Sequence, residues 1–329
     1  MKLPLAIKIL LGGILISSFT AGAAYIYTLY MTADAAVATV ASSGKLTDIL
    51  KAESLSGEEA GRVNILIAGN SADDPGHSGA ELTDSILVAS IDIATKKISL
   101  ISIPRDLWVA YDNTESKINA VYLSGGMDGL RSVVREVTGL TINHAILVNY
   151  AALRDMIDTV GGIDIMIESG DPRGIYDPMI GFNVASGAQH LDGTQALLLA
   201  RSRNDPTYDG RIAYGLPNGD FDRQMYQRKI AQALLEKIAS SSSIVNPSTL
   251  AGLVEDMNGK ITTDLSVGQM RRLYDLGAVS TLSLLSIRTD AGGGSLLADY
   301  TSYDGQSALV SARNMGDYSS IQMYIVAQL

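Results

Sequence analysis

The sequence predicts an α/β fold, a three-layer α/β/α sandwich with a mixed central sheet, preceded by one N-terminal transmembrane helix. Three observations predict it. Strand-like apolar runs alternate with helix-periodic segments through most of the chain, a pattern that places helices on the faces of a sheet. Two β-rich runs, 85–91 and 98–103, flank a short polar turn at 92–97, and such a hairpin makes the sheet mixed rather than purely parallel. Ahead of both, Ile9 to Met31 is 23 residues without a charge, long enough to span a bilayer with some tilt.

Lys2 and Lys8 precede that run and Asp34 is the first charge after it. The positive-inside rule then puts the short N-terminus in the cytoplasm and the rest outside. Tyr25, Tyr27 and Tyr30 suit an interfacial belt at the outer end. The alternative is a cleaved signal with Ala21-Gly22-Ala23-Ala24 as its processing site, although a signal has a shorter apolar core. Thr32 to Arg62 is small, polar and mixed in charge, with a short helix near Leu46–Ala52. The expected organisation is therefore a tip and span at 1–31, an extracytoplasmic stalk at 32–61, and one folded domain at 62–329.

Val63–Ala68 reads as a buried strand stopped by Gly69-Asn70. Residues 71–81 form a loop rich in Asp, Gly, Ser and Pro. Pro104 ends the second hairpin strand, since proline offers no ladder donor. Gly129–Thr138 reads as a helix with Gly139 as its C-terminal cap. Ala145–Val148 is a strand, 151–160 a helix closed by Gly161-Gly162, and Ile163–Ile167 a strand. Residues 170–186 read as a loop, 194–200 as a helix running into Arg201-Ser202-Arg203, and 204–220 as a long loop of the kind that often carries function. A strong helix covers 222–239 and two more cover 247–257 and 266–279. A late strand at 282–287, a flexible stretch at 292–294 and a tail over 302–328 complete the chain.

Composition narrows the functions. At 47% hydrophobic residues, the chain can bury a substantial core. A net charge of −10 argues against nucleic-acid binding, which needs a basic footprint. With no Cys, disulfides, thiolate zinc and Cys nucleophiles are excluded. His77, His144 and His190 are the three His and have no triad partner at recognisable spacing, so they read as surface or packing residues.

Against this acidic background the arginines fall in a few places. Arg105 lies in Ile103-Pro-Arg-Asp106 at a strand end, where α/β sheets bind ligands; a structural Arg105–Asp106 ion pair fits the same local sequence. Arg201 and Arg203 face one side if the chain is extended there and diverge if it is helical. Arg223 and Gln227 share a face of the 222–239 helix, as do Gln224 and Arg228 one position around. Arg223 is in the first turn, where an anion suits the dipole and a cation does not, which hints at a bound anion. Asp84 opens a strand beside a loop with Asp73 and Asp74, as a metal ligand or as a loop cap. Guanidinium forks and an isolated carboxylate are the parts that hold a pyrophosphate with a divalent metal.

Taken in order, several segments resemble the LytR-CpsA-Psr family: Asn64–Gly69, Thr83-Asp84-Ser85, Ser102–Asp106, Lys117-Ile-Asn-Ala-Val-Tyr122 with Gly125-Gly126, Gly161-Gly162-Ile-Asp164, Leu191–Ala196, Arg201-Ser-Arg203 and Asp222-Arg223 with Gln227. The likeness covers about residues 62 to 290. It implies a membrane-anchored enzyme outside the bacterial cytoplasm, so that 62–329 would be its catalytic domain. Such an enzyme moves a glycopolymer from a polyprenyl-pyrophosphate carrier in the membrane lipid to peptidoglycan, forming a phosphodiester with the help of Mg²⁺. The resemblance places the pyrophosphate on Arg105, Lys117, Arg201, Arg203, Arg223 and Gln227. It puts catalysis on Asp84 and Arg105, and the metal on Asp84 with Asp73. Three positions depart from the family pattern: Leu82 stands where an Arg is usual, Ser71 near the place of a second Asp, and Tyr226 in place of a second helix Arg. Two other readings stay open: a pyrophosphatase on the same lipid-linked substrate, with water as acceptor, and a non-catalytic lipid-phosphate-binding or regulatory protein, with which the departures are consistent.

Overall fold

A computed structural model of the chain describes residues 52–73, 81–203, 212–240, 260–266, 268–269, 272–273, 276, 281–289 and 292–329. The apolar run at 9–31, the stalk up to residue 51, Asp74 and the helix expected at 247–257 lie outside these. Among the described residues, no helix is long and apolar enough to cross a membrane.

In chain order the strands are β1 (Arg62–Asn70), β2 (Ser85–Asp92), β3 (Lys97–Ser102), β4 (Trp108–Tyr111), β5 (Thr114–Lys117), β6 (His144–Asn149), β7 (Ile163–Ile167), β8 (Ile175–Asp177), β9 (Phe182–Val184), β10 (Gly187–Leu191), β11 (Ile261–Thr263), β12 (Thr281–Ser286), β13 (Leu297–Thr301) and β14 (Ser307–Ser311). The helices are α1 (Val121–Thr138), α2 (Tyr150–Thr159), α3 (Gly193–Arg201), α4 (Asp220–Ser240) and α5 (Ser319–Gln328). Of the described positions in the expected helix at 266–279, residues 268–269, 272–273 and 276 are helical and Ser266 is not. The chain divides into two compact units. The first comprises Ser56–Tyr150, Thr262–Asp264 and Leu282–Leu329; the second is built from Ala151–Ile261, Leu265–Thr281 and the segment ending at Leu55.

The first unit is a mixed α/β structure around a six-stranded sheet of order β11-β6-β1-β2-β3-β12. Strand β1 lies inside it, and Val63, Ile65, Leu66 and Ala68 are buried on both faces, as suits an inner strand. It runs antiparallel to β2, from Arg62↔Asp92 to Gly69↔Ser85, and parallel to β6, from Ile65↔His144 to Asn70↔Asn149. The hairpin expected at 92–97 forms, with Leu87 opposite Ser102 and Ile91 opposite Ile98. Its turn is held by the Asp92 carboxylate, which accepts the Thr95 N–H at 2.7 Å. This pairing has one consequence for function. The carboxyl ends of β1, β3 and β6 and the start of β2 share one edge of the sheet, the edge where open α/β sheets bind ligands.

Helix α1 begins eight residues before the expected Gly129 and bends at Gly126, whose φ of 58° and ψ of −157° suit only glycine. A Cβ on Gly125 or Gly129 would run into the Tyr111 ring, so these glycines serve as a flat face for that ring. The cap at Gly139 is as expected, with φ 72° and its N–H donating to the Arg135 carbonyl. The segment read as a tail contains both β14 and α5. Ile321 and Ile325 of α5 are fully buried, and Gln322 donates to the Glu136 carbonyl at the end of α1 at 2.8 Å.

In the second unit β7 alternates buried and exposed residues and pairs with β10, not with the large sheet. The expected loop at 170–186 carries the β8–β9 hairpin, Ile175 opposite Val184. Helix α3 starts at a capping box: Asp192 accepts the Gln195 N–H at 2.8 Å, and Gln195 accepts the Asp192 N–H at 3.1 Å. Helix α4 packs on α3 and β7 through the fully buried Tyr226 and Ile230.

Candidate functional site

The antiparallel β2–β3 pairing forces two distant residues together. Asp84 stands just before β2 and Arg105 just after β3, so both emerge at the same sheet edge. Backbone bonds then stitch three segments of the sequence into one corner. The Thr83 N–H and hydroxyl both donate to the Asn119 carbonyl, at 3.1 and 3.2 Å. The Asn119 N–H donates to the Arg105 carbonyl at 3.3 Å, and the Ile118 N–H to the Leu107 carbonyl at 2.7 Å.

A chain of alternating charges lies on this corner. Arg105 Nη1 contacts Asp84 Oδ1 at 2.5 Å, Arg105 Nε lies 3.5 Å from Asp106 Oδ2, and Lys117 Nζ donates to Asp106 Oδ1 at 2.8 Å. The side chains of Asp84 and Arg105 are 9% and 15% exposed, those of Asp106 and Lys117 about a fifth. Desolvation on that scale makes the inner pair stronger than a surface ion pair. The structure thus brings together Asp84, Arg105 and Lys117. The Arg105–Asp106 ion pair read from the sequence is also present, so it accompanies the site rather than replacing it.

Asp73 is at the same edge, after β1, where its carboxylate accepts the Tyr150 N–H at 3.1 Å. Among the described residues, no three metal-ligating side chains form a group. The donors at the edge are hard carboxylate oxygens, which fit Mg²⁺, and Mg²⁺ commonly completes its shell with phosphate oxygens and water. The four charges of the corner cancel, so a bound phosphate would be better compensated if a cation came with it. Ser71, in the place of a second carboxylate, is fully buried. Leu82, in the place of an Arg, is half-buried next to Thr83.

The remaining predicted residues belong to the second unit. Arg201 is the last residue of α3, and the helix breaks immediately after it: Ser202 has φ −62° and ψ 137°. The sequence left extended and helical readings of Arg-Ser-Arg open; the chain does both, helical at Arg201 and extended from Ser202. The Arg203 N–H then donates to the buried Asp177 carboxylate at 2.7 Å. Gln227 on α4 donates to the Ala200 carbonyl at 3.1 Å, which ties α4 to the end of α3 beside Arg201. Arg223 is 4% exposed and pairs with Asp220, one turn earlier in the same helix. That local carboxylate accounts for a cation in the first turn, so the argument from the helix dipole to a bound anion loses its force.

Tyr226, in the place of a second helix Arg, is a core residue. It is fully buried, its hydroxyl donates to the Glu168 carbonyl at 2.8 Å, and burial pushes its pKa up to about 12. Arg228 is buried too, and desolvation lowers its pKa. His144 is a buried packing residue whose Nε2 accepts the Ser56 N–H at 3.2 Å; His190 is exposed and bonded to Asp164 at 2.7 Å. His77 lies outside the described residues.

Sequence reading missed three residues that position the others: Asn119 carries the backbone junction, Asp177 fixes Arg203, and Asp220 engages Arg223. It gives Asp106 only the Arg105 pair, whereas Asp106 also holds Lys117. Asn119 stands inside a quoted motif without a role. Asp220, three residues before Arg223, could have been found from helix spacing.

A model of the LytR_cpsA_psr family matches residues 25–308. A polyisoprenyl-teichoic acid–peptidoglycan teichoic acid transferase, TagU of Enterococcus faecalis, is 28% identical over 212 residues, which are 64% of each chain. The TagU of one Bacillus cereus strain is 30% identical over 247 residues, covering 74% of this chain and 75% of that one. The chain therefore matches just under two thirds of the length of the first relative. Among solved structures, a Streptococcus agalactiae protein superimposes with a TM-score of 0.62 at 22% identity, covering 84% of this chain and 92% of that one. At that identity the likeness speaks for the fold.

Proposed function

The chain belongs to the LytR-CpsA-Psr family, and from that premise we propose that it transfers a glycopolymer from a polyprenyl-pyrophosphate carrier to peptidoglycan, forming a phosphodiester. Relatives named as teichoic acid transferases support the reaction class. The observation that carries the reading to this chain's own residues is the Asp84–Arg105–Asp106–Lys117 chain at the carboxyl-end edge of the sheet. Arg105 and Lys117, and likewise Arg201, Arg203, Arg223 and Gln227, are proposed as pyrophosphate-binding residues.

In the proposed step the acceptor hydroxyl oxygen attacks the phosphorus that bears the glycan. A new P–O bond forms, the bond from that phosphorus to the bridging oxygen breaks, and polyprenyl phosphate leaves with the bonding pair. The hydroxyl proton passes to a carboxylate, Asp84 or one of the loop at 71–81, and to whichever of these is not holding the metal, since a metal-bound carboxylate is a poor base. Phosphoryl transfer depends on positioning and on neutralising charge that shifts to the leaving group. Arg105, pinned between Asp84 and Asp106, presents a guanidinium with little freedom left to lose. Mg²⁺ held by Asp84 and Asp73 with phosphate oxygens would supply further charge stabilisation at the leaving oxygen. The proposal includes a membrane anchor at Ile9–Met31, supported by its uncharged length and flanking lysines.

The purified chain is expected to bind a polyprenyl pyrophosphate and to move labelled glycan onto peptidoglycan. Arg105→Ala should abolish the binding, and Asp84→Asn should suppress Mg²⁺-dependent turnover. Unchanged binding in the first variant removes Arg105 from the site. Release of free glycan in place of transfer makes the protein a pyrophosphatase, and tight lipid binding without turnover makes it the non-catalytic protein that the Leu82 and Ser71 departures would suit.

A further inference from the structure

The C-terminal hairpin β13–β14 is docked directly onto the Arg105 corner. The Leu309 N–H of β14 donates to the Asp106 carbonyl at 2.9 Å, and Leu107 and Leu309 form a parallel bridge. This docking brings three aromatic rings together. Trp108 of β4 is 2% exposed, and its indole Nε1–H donates to Glu115 at 3.2 Å. The Tyr300 ring lies 5.8 Å from it, tilted by 55°, and the Tyr303 ring 6.4 Å from it, edge-on at 80°. Trp108 is thus a buried post. Tyr303 is the ring it holds out: 84% exposed, the most exposed large hydrophobic side chain among the described residues.

The turn that carries Tyr303 is tightly tied. The Ser302 hydroxyl donates to the Asp304 carboxylate, the Gln306 amide donates to the same carboxylate at 2.6 Å, and the Gln306 N–H donates to Ser302 Oγ at 2.9 Å. Gly305 sits at φ 80° with its N–H on the Ser302 carbonyl at 2.9 Å. An isolated apolar side chain on a surface requires no explanation. An aromatic ring braced edge-on by a buried Trp, on a turn fixed by its own hydrogen bonds, beside the charged corner, is a different object.

We propose that Tyr303, backed by Trp108 and Tyr300 and flanked by Asp304 and Gln306, is a platform for a glycan strand, one built of neutral N-acetylated sugars such as the N-acetylglucosamine units of the peptidoglycan backbone. The apolar face of a pyranose ring stacks on an aromatic face, while its hydroxyls and amides need the acceptors and donors that a carboxylate and a carboxamide supply. Charge selects among glycans. Residues 297–311 contain Asp299 and Asp304 and no basic residue, and both carboxylates are exposed. A phosphate-rich glycopolymer is repelled by that hairpin; a neutral sugar chain is not. The platform rests on the transferase reading for its purpose, because a strand lying on it runs beside Arg105, where the acceptor hydroxyl is needed.

The test measures binding of the full chain, in detergent, to glycan strands of N-acetylglucosamine, which carry no lactyl carboxylate, to a teichoic acid polymer, and separately to a polyprenyl pyrophosphate. Truncating an anchoring tyrosine typically costs enough to weaken binding roughly ten-fold. Tyr303→Ala should lose about that factor on glycan strands, Tyr303→Trp should restore it, and the lipid pyrophosphate should bind all three proteins alike. Glycan binding unchanged in Tyr303→Ala, no restoration by Tyr303→Trp, or a loss confined to the teichoic polymer each overturns the platform. So does a loss of lipid binding in Tyr303→Ala, because the residue would then act on the phosphate corner. If the native chain binds glycan but no lipid pyrophosphate, the transferase reading fails while the platform stands.

Discussion

Replacing Arg105 by Ala tests whether the corner is a folded unit as well as a binding site. The guanidinium meets Asp84 at 2.5 Å, with only 15% and 9% of the two side chains exposed. Exposed ion pairs contribute at most about 1 kcal/mol, whereas removing one partner of a buried pair costs about 3–5 kcal/mol, because the other charge is stranded. This pair lies between those limits and nearer the buried one, so Arg105→Ala should destabilise by about 2–3 kcal/mol. Asp106 is not stranded, because Lys117 still meets it at 2.8 Å. The penalty therefore falls mainly on Asp84, which loses its Arg105 contact, and should shrink when its charge is removed. The double variant Asp84→Asn/Arg105→Ala should recover about 2 kcal/mol relative to the sum of the single variants. In thermal unfolding, that recovery corresponds to roughly 4–8 °C for a domain of this size. Polyprenyl pyrophosphate binding should stay lost in the double variant, since stability returns without the guanidinium. Additivity of the two single changes within about 0.5 kcal/mol would refute the coupling.

Three further outcomes are expected. Tyr226→Phe leaves the Glu168 carbonyl without the hydroxyl that donates to it at 2.8 Å and should cost about 1–2 kcal/mol, read by urea unfolding; an unchanged midpoint would sink the core role of Tyr226. Asp177→Ala removes the acceptor of the Arg203 and Met179 N–H groups, at 2.7 and 3.1 Å, and should cost about 2–3 kcal/mol and weaken lipid binding; Asp177→Asn should fall between, and native affinity in the Ala variant would mean Arg203 needs no fixing. Burial lowers the pKa of His144 below its usual value near 6.5, so below that pH the unfolded chain binds a proton that the fold resists. The stability involved is fully present above about pH 6.5 and is lost as the pH falls from there towards the folded-state pKa. Melting temperatures at pH 7.5 and 5 should show a drop that His144→Gln reduces; an equal drop in both proteins would remove His144 as its cause.

Much of the fold could be read residue by residue. The turn at 92–97 is polar between two β-branched runs, and the hairpin forms there. Gly139 follows a helix-periodic stretch and caps it with a positive φ. Other elements escape this reading. Strands β8 and β9 are three residues each, too short for a period, and they look like the loop they interrupt. The sequence reading omits the first eight residues of α1, Val121–Asp128, and the sequence does not show the Tyr111 ring that lies on Gly125 and Gly129. The stretch over 302–328 reads only as a tail, although the apolar run in its last ten residues forms α5 and buries Ile321 and Ile325.

The site divides the same way. Local sequence alone was enough to show which residues carry charge, that Asp84 opens one strand and Arg105 follows the next, and that a helix runs into Arg201. Those are consequences of local pattern, decided within a few residues by backbone preference and hydrophobic period. The tertiary structure alone decided that Asp84 and Arg105 touch, that Asp106 shares itself between Arg105 and Lys117, that Tyr226 is interior, and that Tyr303 stands beside that corner. Each depends on strand register and on which faces pack together, and both are set by burial of the whole core rather than by neighbours along the chain.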